Sequence, residues 1–95
     1  MGLTFEWDER KAVANRRKHG VGFDEAMTAF GDPLSSTIPD PAHSDEEDRF
    51  VLIGESERGR LVVVVHVERG ESIRIISARP ATAGERRDHE QIDEG

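Results

Sequence analysis

Between Arg49 and Arg79 the chain runs three times through β-branched and apolar residues, as RFVLIG, RLVVVVHV and SIRIISAR. Each interruption, at 55–59 and 68–71, contains a glycine. Strand-like runs joined by such short turns pair with their sequence neighbours, so this half of the chain predicts an antiparallel meander. The middle run lacks polar alternation, as expected of a central strand covered on both sides.

The first half reads as helical. After a short strand at 4–7, Asp8 is placed as an N-cap whose carboxylate accepts the orphan amides of a first turn. The helix runs to about Lys18, and Gly20 stands where a left-handed residue ends it. Arg16, Arg17, Lys18 and His19 in its last turn complement the negative end of the dipole. Phe23, Ala26, Met27 and Phe30 then share one face of a second helix, which Gly31 and Pro33 stop. Residues 34–38 are strand-like, but Pro39 and Pro41 bar a central strand beyond them. After Pro80, Thr82 and Glu85 have capping-box spacing for a last helix that frays at Asp93. The order β-α-α-β-β-β-β-α predicts one α+β domain over residues 1–95, a small antiparallel twisted sheet with helices packed on one face.

With 95 residues there is room for a single modest core. The chain has no cysteine, which rules out disulfides, thiolate metal sites and a cysteine nucleophile. Its longest apolar run, 61–65, is far short of the ~20 residues a membrane span needs. A soluble, cytoplasmic protein is expected. His43 and His89 have no ligand-like spacing, so neither a metal site nor a cofactor is expected.

The net charge of −7 argues against general nucleic-acid binding, yet it is unevenly spread: +2 over 1–20, −8 over 21–59 and −1 over 60–95. The acidic run 45–48 reads as a solvated loop that could also attract a basic partner. Against this background Arg74, Arg79, Arg86 and Arg87 stand out. Guanidinium forks on a stiff strand hold phosphate or carboxylate, although pairing with the surplus acids is their commoner fate. By strict alternation Arg79 and Ser77 share a face with Ile73 and Ile75, while Arg74 faces the other way with Ile76 and Ala78. Arg74 and Arg79 can face one cleft only if a bulge or the strand end intervenes. Trp7 is expected to anchor the first helix, with base stacking as the other reading.

FEWDERKAVANRRKHGVGFDEA from Phe5, HSDEEDRFVLIGES from His43 and IRIISARPATAGERR from Ile73 resemble the BrnT toxins, in the same order and with similar spacing. The sequence departs from that family in the last helix, with His89 where a Tyr is frequent. The resemblance implies a RelE-like fold and a type II toxin-antitoxin system. It further implies a toxin that cleaves RNA, with mRNA, free or on the ribosome, as the expected substrate, until a BrnA-type antitoxin covers it, with DNA reached only through that antitoxin.

Metal-independent RNA cleavage needs a proton acceptor, a proton donor and cations for the transition-state charge. The expected catalytic residues are His19 and His66 for proton transfer and Arg49 and Arg79 for charge. Lys18, Arg74, Ser77 and Arg86 are expected to bind substrate. His66 has the parity of Val62 and Val64, so its other reading is a core histidine; the dipole explains His19 equally well. Glu85 could act as a base, but its capping-box position favours a structural role. The competing class is a non-catalytic binding module that holds a regulatory partner on DNA.

Overall fold

The structure, a computed structural model, describes residues 2–43, 45 and 48–94, the last three by their backbone. Glu46 and Glu47 of the acidic run lie outside the described residues, and the flanking Asp45 and Asp48 are exposed. The elements are β1 (Thr4–Glu6), α1 (Glu9–His19), α2 (Phe23–Thr28), β2 (Ser36–Pro39), β3 (Arg49–Glu55), β4 (Leu61–Arg69), β5 (Ser72–Pro80) and α3 (Ala83–Glu94). Short 3-10 turns at Ala29–Gly31 and Pro41–His43 flank β2. Helix α3 continues past Asp93, where fraying was expected.

The strands form one sheet in the order β1-β5-β4-β3-β2. β2 to β5 pair antiparallel as a meander, but β1 pairs parallel with β5, Phe5 opposite Ile73. The sheet is therefore mixed, which corrects the all-antiparallel expectation. Helices α1 and α2 occupy the whole return path from β1, and no tight turn exists to set β1 antiparallel to a neighbour. β2, interrupted by Pro39, is an edge strand.

The helix ends follow their sequence signals. Asp8 accepts the amides of Arg10 (2.8 Å) and Lys11 (3.3 Å), and Gly20 ends α1 at φ 75°. Such a left-handed angle costs a glycine nothing and an L-residue about 1–2 kcal/mol. Trp7 packs edge-on against Phe23 and donates its indole N–H to Glu9 at 2.9 Å, as an anchor for α1 would.

The core lies between the sheet and α1 and α2. Val21, Phe23, Ala26 and Ala29 meet Leu52, Val62, Val64, Ile73, Ile75 and Ala78 there. Burying each Val, Ile, Leu or Phe contributes about 1.5–3 kcal/mol. Gly54 lets β3 pass close beneath the first 3-10 turn, since a Cβ there would stand 2.9 Å from the carbonyl oxygen of Ala29.

One irregularity decides which side chains face where. Val65 pairs with Ser77 but His66 pairs with Ile75, so Ile76 is an extra residue, a β-bulge. Parity flips at that point. Ile73, Ile75, Ala78 and Pro80 all face the helices, while Ser72, Arg74, Ser77 and Arg79 all face the opposite side. Just past the bulge, the buried Asn15 of α1 closes the flank of β5 that β1 is too short to cover. Its Nδ2 donates to the carbonyls of Ala78 (2.8 Å) and Val21 (2.9 Å), and its Oδ1 accepts the Ala78 amide at 3.1 Å. The carboxamide thus takes the place of a neighbouring strand.

α3 does not share the face of α1 and α2. Its first turn is held by Arg79, whose side chain leaves the sheet on the far side, beside a buried Val63. The expectation of helices on one face holds for α1 and α2 only. Asn15→Ala leaves three buried backbone partners unmatched, so chemical denaturation should show a loss of about 2–3 kcal/mol, against about 0.5 kcal/mol or less for an exposed site such as Ala14→Ser.

Candidate nucleic-acid interface

The bulge gathers four of the expected site residues on one face. Arg49 of β3 and Arg74 of β5 both pair with Val67 and so flank it, about 10 Å apart at the backbone. Ser77 lies beside Val65, and Arg79 beside Val63. Val51, Ile53, Val65 and Val67 form a half-buried apolar ground between these cations.

Each arginine on this face carries a carboxylate. Arg49 Nε donates to Asp40 Oδ2 at 3.1 Å, Arg74 lies 3.7 Å from Glu6, and Arg69 is 3.3 Å from Asp48. Arg74 therefore pairs with β1 on the open face and not with an acid on the helical side, where strict alternation put it. Asp40 is itself buried. Burial pushes its carboxyl up, but the Ala42 amide, His43 and Arg49 together outweigh that and hold it below the usual range.

Arg79 is held most firmly. Its Nη1 and Nη2 donate to the two oxygens of Glu85 at 2.7 and 2.8 Å. The capping box is present as well, with Thr82 N donating to Glu85 Oε1 (2.9 Å) and Glu85 N donating to Thr82 Oγ1 (3.1 Å). The fork from Arg79 is the largest influence on the Glu85 carboxyl; against a smaller opposing effect of burial, and with help from Thr82, it lowers the pKa from 4.5 to about 2. Nη1 also reaches the Pro80 carbonyl at 3.3 Å. A guanidinium has five N–H donors, so Nε–H and the outer Nη2–H remain as a second, side-on fork. The side chain as a whole is 40% exposed.

The remaining expected residues are elsewhere. His66 faces the core at 0% exposure, its ring edge-on to Phe30 and stacked on Phe50. Its Nδ1 lies 3.2 Å from the Val64 carbonyl and its Nε2 2.7 Å from Glu68. It is a core histidine with both nitrogens engaged and does not reach the open face, contrary to the catalytic expectation. His19 ends α1, half-buried on the helical side, with Lys18 exposed beside it. Arg86 is exposed on α3 and lines a hollow of about 520 Å³ with Arg60, Glu55, the buried His89 and Glu90.

Sequence reasoning missed the polar centre on the helical side. Glu25 of α2, 4% exposed, accepts Arg60 Nε (2.7 Å), Arg60 Nη2 (2.6 Å) and Ser56 Oγ (2.7 Å). Arg60 reaches on to the Gly20 carbonyl at 2.8 Å. Arg60 first, and Ser56 and Arg58 after it, hold the Glu25 carboxyl below its usual range despite burial. One guanidinium thereby joins the end of α1, the start of α2 and the β3–β4 turn. No local pattern announces the pair, since helical spacing sets Glu25 away from the face of Phe23, Ala26, Met27 and Phe30 and Arg60 is 35 residues further on.

A five-stranded mixed sheet backed by two helices, with arginines and a serine aligned on its other face, defines a small α+β protein. The sequence model of the family described as "Ribonuclease toxin, BrnT, of type II toxin-antitoxin system" matches residues 7–85, and the chain belongs to that family. It is a ribonuclease toxin of a type II toxin-antitoxin system, and membership implies an antitoxin partner. The chain is also similar to the Brucella abortus ribonuclease toxin BrnT, known from a crystal structure, with a TM-score of 0.66 and 25% identity over 84% of this chain and 97% of that one. No curated protein matches the chain.

Glu85, Glu25 and Asp40 all have folded-state pKa values below their unfolded ones. Their stabilisation is therefore complete above the ordinary carboxylate range and is lost as pH falls through the folded values. Melting temperature should drop between about pH 5 and pH 2. In Glu85→Gln the drop should be shallower and the melting temperature at neutral pH lower; a variant profile parallel to the wild type would refute the Arg79–Glu85 contribution.

Proposed function

We propose that the open sheet face is where this toxin holds RNA, and that Arg79 is the cation that meets the scissile phosphate. What supports the reading is the bulge at Ile76, which sets Arg74, Ser77 and Arg79 on one side of β5, facing Arg49 across β4. Arg49 and Arg74 contact flanking phosphates, with Ser77 as a hydroxyl donor between Arg74 and Arg79. Glu85 is a positioning residue: by gripping one edge of the Arg79 guanidinium it aims the other, side-on edge at the phosphate. Phosphate and Glu85 then share one cation, and neither need displace the other.

In this reading charge stabilisation carries the catalysis, as preorganised donors in enzymes often do. Of the two imidazoles expected to transfer protons, neither is assigned to the reaction, because His66 is enclosed and His19 closes the end of α1. Cleavage proceeds without a metal ion, on mRNA in the cytoplasm, with the ribosome presenting that substrate. A sheet with helices behind and a substrate surface in front is the RelE-like arrangement. A BrnA-type antitoxin neutralises the toxin by covering that surface.

With purified protein, RNA cleavage should persist in EDTA and fall about 10²–10³-fold in Arg79→Ala, the usual cost of losing one transition-state donor. Arg79→Lys should not restore it, because an ammonium cannot serve Glu85 and a phosphate with two forks. Circular dichroism should show both variants folded. Full activity in a folded Arg79→Ala protein would remove the site.

A further inference from the structure

We propose that the outer face of α1 is a second RNA-docking surface, separate from the sheet, which grips the backbone of single-stranded RNA through Arg10, Lys11, Arg17 and Lys18. The proposal takes RNA as the substrate, as the reading above does, but it assigns a surface that takes no part in the chemistry.

The observation behind it is where charge goes unbalanced. The arginines of the sheet and the β3–β4 turn are all paired: Arg49, Arg58, Arg60, Arg69, Arg74 and Arg79 each have a carboxylate. Among the described residues, none of the five cations of α1 forms an ion pair. The nearest acids are committed elsewhere: Asp8 caps the helix, Glu9 accepts the Trp7 indole, and Glu6 faces Arg74. Arg86 and Arg87 are also without ion pairs among the described residues, but they share α3 with Glu85, Asp88 and Glu90. An 11-residue helix with five cations and one acid thus stands out from a chain of net charge −7.

Helix stability does not account for this. Cations in the last turn, Arg16 to Lys18, complement the dipole. Arg10 and Lys11 lie in the first turn, where the same dipole disfavours them. The dipole therefore gives no reason for their charge.

Their spacing indicates a repeating anion. Arg10 and Arg17 are seven residues apart, as are Lys11 and Lys18, so each pair stacks two turns apart, about 10 Å along the axis. Asn15, Ala12 and His19 turn toward the protein, which leaves the arginines on the opposite side. Between Arg10 and Arg17 lies a shallow hollow of about 380 Å³, lined by Glu9, Arg10, Val13, Ala14 and Arg17. Val13, 50% exposed, is one of the few large apolar side chains left in water. An apolar floor between two guanidiniums suits a sugar or base between two phosphates better than it suits scattered acidic side chains. This surface faces away from the sheet that carries Arg79, so it extends the footprint on a long RNA without touching the reacting bond.

The test is affinity for a non-cleavable 2′-O-methyl RNA of about 20 nucleotides, followed by fluorescence anisotropy across a salt series. Arg10→Ala/Arg17→Ala should weaken binding about tenfold and lower the slope of log K against log salt by about 1.4, the value for two lost contacts to a single strand. Arg58→Ala removes a cation from another surface and should change affinity by less than about twofold. The altered side chains are exposed, and an unchanged melting temperature confirms that the fold is intact. The proposal is overturned if the double variant binds within about twofold of wild type, if Arg58→Ala is equally damaging, or if the loss appears only with duplex DNA or the antitoxin. Because binding needs no chemistry, a wild-type protein that binds but does not cleave would refute the sheet site and leave this surface standing.

Discussion

The arrangement of this protein hangs on a single extra residue. Ile76 adds one position to β5 opposite β4, and every side chain after it changes sides. Without the bulge Ala78 would leave the core, and Arg79 would point into the apolar layer under α1, where an unpaired guanidinium is untenable. With it, the core keeps Ile73, Ile75 and Ala78 while the far face collects the polar residues. Asn15 reinforces the choice two residues on, because its carboxamide fits Ala78 only when that backbone is presented in this register.

Charge follows a similar division. The sheet face is locally neutral, each guanidinium held by a carboxylate that fixes its direction. A fixed cation is ready for a ligand that offers better geometry or takes the remaining N–H edge. α1 is the reverse: its cations are exposed and, among the described residues, form no ion pair. Within one small domain the two faces thus differ in how their cations are held.

Much of the fold was legible in the chain. The helix signals of Asp8 and Gly20, the meander, the Thr82–Glu85 box and the anchoring role of Trp7 rest on interactions local in sequence, where spacing determines geometry. What was hidden is non-local. Nothing in TFEWD distinguishes parallel from antiparallel pairing, and Ile76 lacks the glycine that would advertise a bulge, so alternation assigned Arg74 and Arg79 to opposite faces. The same alternation placed His66 with Val62 and Val64 correctly, and the core location of those valines is what withdraws it from solvent. Glu25 and Arg60, 35 residues apart, show no pattern at all. Family likeness therefore pointed to the right reaction class, whereas the site residues could be sorted only with the bulge in view.

The amide that stands in for a strand also governs how copies of the molecule meet. At one margin of the sheet β1 occupies three positions and Asn15 seals the next; at the other, β2 is four residues long and ends in proline. Neither margin is a long, flat template for another chain to extend. Crowded copies are thus denied the edges along which sheets zip into fibres.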